Sequence, residues 1–167
     1  MIGSASDQQT ASMEDYLETI ALLKEEGKPV TVTAISKMMG VKKPSVDWAL
    51  TKLSVTGLVL HEKYGDVELT AEGTKIAEDV YRRHKILRQF LVDILDVDPD
   101  TADNDACRME HVLSRDSLSR LEKFIDFVLN CPRGNPEWLT GFNYYIEHGK
   151  RDAELLARCQ REDKIEQ

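Results

Sequence analysis

Cysteine is scarce in this 167-residue chain, with Cys107, Cys131 and Cys159 its only three. Odd in number and scattered, they exclude a disulfide framework and read as thiols kept reduced in a cytosol. No apolar run approaches the roughly 18–20 residues that cross a bilayer, and residues 1–10 are polar with no basic start before an apolar stretch. Neither a membrane span nor an export signal is expected. An excess of cations is missing too: 22 Lys and Arg stand against 30 Asp and Glu, for a formal charge of −8. That balance excludes a protein that coats nucleic acid by bulk electrostatics, because phosphate neutralisation needs clustered cations. What is present is 41% hydrophobic and 31% charged residues, enough for one ordinary domain or two small ones.

Residues 12–26 carry Tyr16, Leu17, Ile20 and Leu23 at helical spacing, with Ser12 as the expected N-cap and Gly27 as the stop. After Lys28 and Pro29, Thr33 is expected to open a short helix with Ala34, Ile35 and Met38 inward, ended by Gly40. Pro44 begins another helix running to about Thr56, and two helices joined by a short Gly-containing turn predict a helix-turn-helix. Residues 58–61 and 67–70, around Tyr64-Gly65-Asp66, read as a β-hairpin, so three helices and a hairpin make a winged helix. From residue 71 to about 95, Ile76, Val80, Leu87, Leu91 and Ile94 recur at steps of three, four or seven, which predicts one long linking helix. Residues 96–100 read as a turn, Thr101 as the cap of a helix through Leu113, and Ser114 or Asp116 as the start of the next, with Leu118, Leu121, Phe124, Ile125 and Val128. Beyond the break at residues 131–136, one helix with Trp138, Phe142 and Tyr145 and a charged one with Leu155, Leu156 and Cys159 are expected.

Charge becomes informative by segment. Residues 32–64 hold Lys37, Lys42, Lys43, Lys52 and Lys63 against Asp47 and Glu62, a surplus of three cations in an otherwise acidic chain. One basic helix-turn-helix fits a specific binder of double-stranded DNA that makes few phosphate contacts. At 100° per residue, Val46, Leu50 and Leu53 share one face of the recognition helix and Pro44, Trp48, Thr51 and Val55 the opposite one, with Lys52 on its flank, so the groove-facing set is Ser45, Trp48, Thr51 and Lys52. Lys42, Lys43 and Lys63 complete the expected DNA-facing set. Trp48 either meets a sugar or thymine methyl, or packs on a neighbouring domain; Asp47 either accepts from a cytosine amino group or is simply solvated.

A second constellation carries metal chemistry. Asp15 and Glu18 stand at i and i+3 on the first helix, Cys107, Glu110 and His111 at i, i+3 and i+4 of a later one, and His84 shares the inward stripe of Val80, Leu87 and Leu91. Each piece alone has a structural explanation: surface charge, a core histidine, a packed thiol. Together they would be a repelling cluster unless a divalent cation neutralised it, and a mixture of carboxylate, imidazole and one sulfur suits Mn(II) or Fe(II) better than a tetrahedral structural zinc.

Five stretches then carry a resemblance: Ser12-Met13-Glu14-Asp15-Tyr16-Leu17-Glu18-Thr19-Ile20, Val41-Lys42-Lys43-Pro44-Ser45-Val46, Leu69-Thr70-Ala71-Glu72-Gly73, Arg83-His84-Lys85-Ile86-Leu87, and residues 105–114 around Cys107, Glu110 and His111. In this order, over residues 11–130, they resemble the diphtheria-toxin-repressor and manganese-transport-regulator family. The resemblance implies a homodimeric, metal-activated repressor of metal-uptake genes, with a winged-helix domain (residues 1–73) and a helical metal-binding and dimerisation domain (residues 74–167). It implies that Asp15, Glu18, His84, Glu110 and His111 match ligands of the manganese type. Cys107 matches the iron type, which has Met where this chain has Asp15, whereas the manganese type has Glu where this chain has Cys107. The iron type also has a second metal site, which uses the histidine equivalent to His84, a Glu where this chain has Arg88 and a His where it has Asp103, so that site should be absent or rebuilt. The SH3-like third domain of longer members is not expected within these residues.

The expected fold is therefore mostly α, and the expected function a cytoplasmic Mn(II)- or Fe(II)-responsive regulator that binds a pseudo-palindromic operator as a homodimer and is not an enzyme. Two alternative readings fit the same residues. One is a metal-independent winged-helix regulator sensing a small molecule, its acidic cluster a salt-bridge network. The other is a metalloenzyme, since such ligands with an open position can activate water; no nucleophile triad, phosphate loop or substrate-sized second domain supports it.

Overall fold

The computed structural model describes residues 5–61, 66–132 and 136–153, with side chains from residue 13 onward. The chain divides into two compact units, Met1–Arg83 and His84–Gln167.

In the first unit, α1 (Ala5–Glu25) turns Tyr16, Leu17, Ile20 and Leu23 into the core. It starts well before Ser12, so Ser12 is an interior residue and not the expected cap. Gly27 stops the helix as expected, adopting φ 66° while the Lys28 amide reaches back to the Leu23 carbonyl. The next cap is Thr31 rather than Thr33: its hydroxyl accepts from the Ala34 amide and opens α2 (Val32–Met39) two residues early. That start centres the apolar stripe on Val32, Ile35 and Met39, leaving Met38 about a quarter-turn away and exposed, against the expectation that it points inward. Gly40 ends α2 in the left-handed conformation. α3 (Lys43–Val55) begins with proline in its first turn and buries Val46, Ala49, Leu50 and Leu53.

Strands β1 (Val59–His61) and β2 (Val67–Leu69) pair antiparallel, with Leu60 opposite Glu68. Val59 and Val67 face the core, and the Val67 amide donates to the Val30 carbonyl, which ties the α1–α2 connection to the hairpin. The Thr70 hydroxyl donates to the Gly57 carbonyl and accepts from the Gly73 amide, so one side chain both anchors the hairpin and caps α4 (Ala71–Gln89). Gly73 is obligatory there: a Cβ would lie 2.0 Å from the Leu58 carbonyl oxygen. Hence the run Thr70-Ala71-Glu72-Gly73 has a steric cause. The first part of α4 contributes Ala77 to this core.

In the second unit, the long helix continues past Gln89 as a π-helical turn, Phe90–Ile94, which keeps Leu91 and Ile94 buried. Asp96 then reverses the chain at φ 54°. α5 (Pro99–Met109) is capped by Asp98, whose carboxylate accepts from the Asp100 and Thr101 amides; proline at its first position suits a helix start, so Asp98 replaces Thr101 as the cap. Because α5 ends at Met109, Glu110 and His111 stand in the turn after it instead of within a helix reaching Leu113. α6 (Arg115–Leu129), capped by Ser114, buries Leu118, Ile125 and Val128 against Ile86, Leu87 and the π-helical turn. α7 (Glu137–His148) seats Leu139 and Phe142 beside Ile94 and Val128. The expected Trp138 and Tyr145 lie on this helix but are about half exposed, because its buried stripe is centred on Leu139. The charged helix expected around Leu155, Leu156 and Cys159 lies outside the described residues, as does the hairpin turn at Tyr64-Gly65.

Candidate metal centre and DNA-binding face

The DNA-binding candidates belong to the first unit. Lys42, Lys43, Pro44, Ser45, Trp48, Thr51 and Lys52 are all exposed, on the side of α3 opposite its buried residues. The Trp48 ring is 46% exposed, and the Lys52 ammonium stands 5.9 Å from its centroid, a cation–π distance that holds the charge beside an outward aromatic. The exposed Thr51 turns its hydroxyl back to donate to the Asp47 carbonyl. Lys63 lies outside the described residues.

On α1, Asp15 and Glu18 are both half-buried, one turn apart at the edge of the apolar stripe. Burial, with Asp15 adjacent, pushes the Tyr16 phenol above its ordinary range. Glu14 on the same helix pairs with Arg83 at 3.3 Å, and Arg83 also reaches Asp79 on its own helix at 3.5 Å.

The second unit gathers His84, Glu110 and His111. Glu110 is fully buried, with one carboxylate oxygen 3.0 Å from His84 Nδ1 and the other 3.4 Å from His111 Nε2. The local folding explains this. Ending α5 at Met109 drops Glu110 into the interior while its amide still bonds to Ala106, and the next residue, His111, follows it inward. A carboxylate with no exposed surface must be offset by charge or hydrogen bonds; the His84 hydrogen bond serves one oxygen, and the His111 imidazole stands within ion-pair distance of the other. Such a set of one carboxylate and two imidazoles is also a ligand set for a borderline divalent cation. Cys107 stands one turn earlier on α5 and is exposed, so it is not the buried packing thiol of the alternative reading.

Sequence reasoning met Asp103 and Arg88 only as departures from a second metal site and did not foresee their contact with each other or with His84. His84 Nε2 lies 3.2 Å from Asp103 Oδ1, and Arg88 Nε lies 3.4 Å from the same oxygen. The signal was present, since Arg88 is four residues beyond His84 and Asp103 four before Cys107, which puts each on the face of a candidate ligand.

Among the described residues no helix is long and apolar enough to cross a membrane. Residues 8–67 match the family model described as "Iron dependent repressor, N-terminal DNA binding domain", and residues 70–139 match "Iron dependent repressor, metal binding and dimerisation domain". An uncharacterized HTH-type transcriptional regulator of Methanocaldococcus jannaschii is 38% identical over 116 residues, 69% of this chain and 93% of that one. The HTH-type transcriptional regulator MntR of Bacillus subtilis is 36% identical over 118 residues, 71% of this chain and 82% of that one. A solved manganese-dependent transcriptional repressor in complex with manganese superposes with a TM-score of 0.64 at 29% identity, over 75% of this chain and 56% of that one. The chain thus spans little more than half the length of that solved relative. With both domain models matched in order over most of its length, the chain belongs to the iron-dependent repressor family of metal-dependent transcriptional regulators.

Proposed function

We propose that this chain is a Mn(II)- or Fe(II)-activated DNA-binding repressor of metal-uptake genes, acting in the cytoplasm as a homodimer on a pseudo-palindromic operator, and that it is not an enzyme. The observation that carries this reading is Glu110, a fully buried carboxylate facing an imidazole at each oxygen, within the stretch that matches the metal-binding and dimerisation domain. The ligands we assign are Asp15, Glu18, His84, Cys107, Glu110 and His111. We also read residues 1–73 as the functional DNA-binding domain and 74–167 as the metal-binding and dimerisation domain.

The donors fit such an ion: three carboxylates, two imidazoles and one thiol offer the oxygen, nitrogen and sulfur atoms that Mn(II) and Fe(II) accept at five or six coordination. When bound, the cation supplies positive charge and a set coordination geometry. The chain's own residues do the rest. Glu110 holds the His84 imidazole and faces that of His111, and the assigned Asp15 and Glu18 would add donors from the stretch matching the DNA-binding model. Lys42, Lys43, Lys52 and Lys63 neutralise phosphates, Ser45, Trp48 and Thr51 meet base edges, and Pro44 fixes the entry of the recognition helix. Two such helices in a dimer would reach half-sites about one helical turn apart, or a multiple of it. DNA binding measured with Mn(II), Fe(II), Co(II), Zn(II) and no metal tests the proposal: activation by Mn(II) or Fe(II) supports it, and equal binding without metal overturns it.

A further inference from the structure

We propose that Asp103 is a positioning residue for His84, and that Arg88 holds Asp103 in place; the inference rests on the reading of His84 as a metal ligand. Two ladders of side chains face each other within the second unit. His84 and Arg88 are four residues apart on one helix, while Asp103 and Cys107 are four apart on α5 and Glu110 follows three residues later in the turn that ends it. Their polar atoms alternate in charge from the surface inward: Arg88 Nε to Asp103 Oδ1 at 3.4 Å, the same oxygen to His84 Nε2 at 3.2 Å, and His84 Nδ1 to Glu110 Oε2 at 3.0 Å.

An imidazole binds a cation through the lone pair of one ring nitrogen, and the other must then carry the proton. Asp103 is an acceptor for an Nε2–H, which leaves Nδ1, the nitrogen facing the buried Glu110 carboxylate, as the ligating atom. Carboxylates in this outer position fix the tautomer and ring orientation of metal-bound histidines and raise their basicity. The burial gradient separates this role from a scaffolding one. The Asp103 and Arg88 side chains are 62% and 43% exposed, so as an ion pair they add little to folding, whereas His84 is 15% exposed and Glu110 not at all. What the outer pair contributes is direction at His84.

The test is Mn(II) binding to the full chain, followed by the paramagnetic resonance signal of the free ion, alongside thermal melting of the metal-free protein. Asp103→Ala should weaken Mn(II) binding about 10–100-fold while the metal-free melting temperature stays within about 3 °C. Asp103→Asn, whose amide oxygen still accepts an N–H, should lose less, and Arg88→Lys should retain more affinity than Arg88→Ala. Glu110→Gln serves as the control for the metal reading itself. If Glu110→Gln loses Mn(II) and Asp103→Ala binds as the parent does, the metal reading stands and this inference falls. A melting temperature for Asp103→Ala far below the parent's makes Asp103 part of the scaffold and also overturns it. If the parent chain takes up no Mn(II), both fall.

Discussion

Replacing Glu110 by glutamine keeps the side chain's shape and removes its charge at the most buried point of the candidate centre. In the metal-free protein the two imidazoles lose their shared carboxylate, at 3.0 and 3.4 Å, in surroundings where Glu110 has no exposure and His84 and His111 have 15% and 7%. Solvent screening is therefore weak, and losing the His84 hydrogen bond to a charged group costs about 1.5–3 kcal/mol. For a chain of this size that is a fall of about 3–12 °C in melting temperature. The second effect is on the response to metal. At Mn(II) one hundred times the dissociation constant, the parent gains about 2.7 kcal/mol, a rise of about 5–11 °C. If the substitution weakens binding ~100-fold, the same Mn(II) concentration equals the variant's dissociation constant and the gain shrinks to about 0.4 kcal/mol, or ~1–2 °C. Scanning fluorimetry of both proteins with and without Mn(II) reads both effects. A Glu110→Gln variant that starts lower but keeps the parent's full Mn(II)-dependent rise would refute the assignment, because its carboxylate would then serve folding alone.

Gly73→Ala should destabilise the winged-helix unit by at least about 1–3 kcal/mol in urea melts, since its methyl must displace the Leu58 carbonyl, a backbone group that cannot rotate away; an unchanged midpoint would contradict the close approach. Lys52→Ala should weaken binding to all duplexes and lower the salt slope by about 1, whereas Trp48→Ala, at an outward ring, should change sequence preference with little change in stability. Loss of stability without altered preference would make Trp48 a packing residue. Cys107→Glu should raise the ratio of Mn(II) to Fe(II) response and Asp15→Met should lower it, because carboxylates favour the harder ion and sulfur the softer ones; if neither ratio moves at fixed free-ion concentrations, Cys107 is not a ligand.

Much of the fold was legible because its signals are local. The stripe of Tyr16, Leu17, Ile20 and Leu23, the stops at Gly27 and Gly40 and the alternation around Val59 and Val67 each report an energy set within a few residues. Errors arose where two local signals competed. Thr31 and Thr33 are both plausible caps, and the register of Ile35 against Met39 decides between them. Thr101 lost to Asp98 because Pro99 suits the first helical position. Trp138 and Tyr145 look apolar in composition, yet the face they share is not the one that meets Ile94 and Val128. At the candidate site, the residue types of His84, Glu110 and His111 were readable from spacing and resemblance, but the depth of Glu110 depends on α5 ending at Met109, which no capping residue announces. The contact of Asp103 with His84 and Arg88 joins residues up to 19 apart; spacing puts Asp103 and Arg88 each on the face of a candidate ligand, but their pairing across two helices depends on how the helices pack.

The account's central claim, that a divalent cation switches DNA binding, is tested most directly with duplexes selected from a random-sequence pool in the presence of Mn(II). Their affinity for the full chain is then measured with Mn(II), with Fe(II) under anaerobic conditions, and with a chelator. The account predicts retention of pseudo-palindromic duplexes with either ion and their release by the chelator. Equal affinity in chelator and in Mn(II) would contradict it.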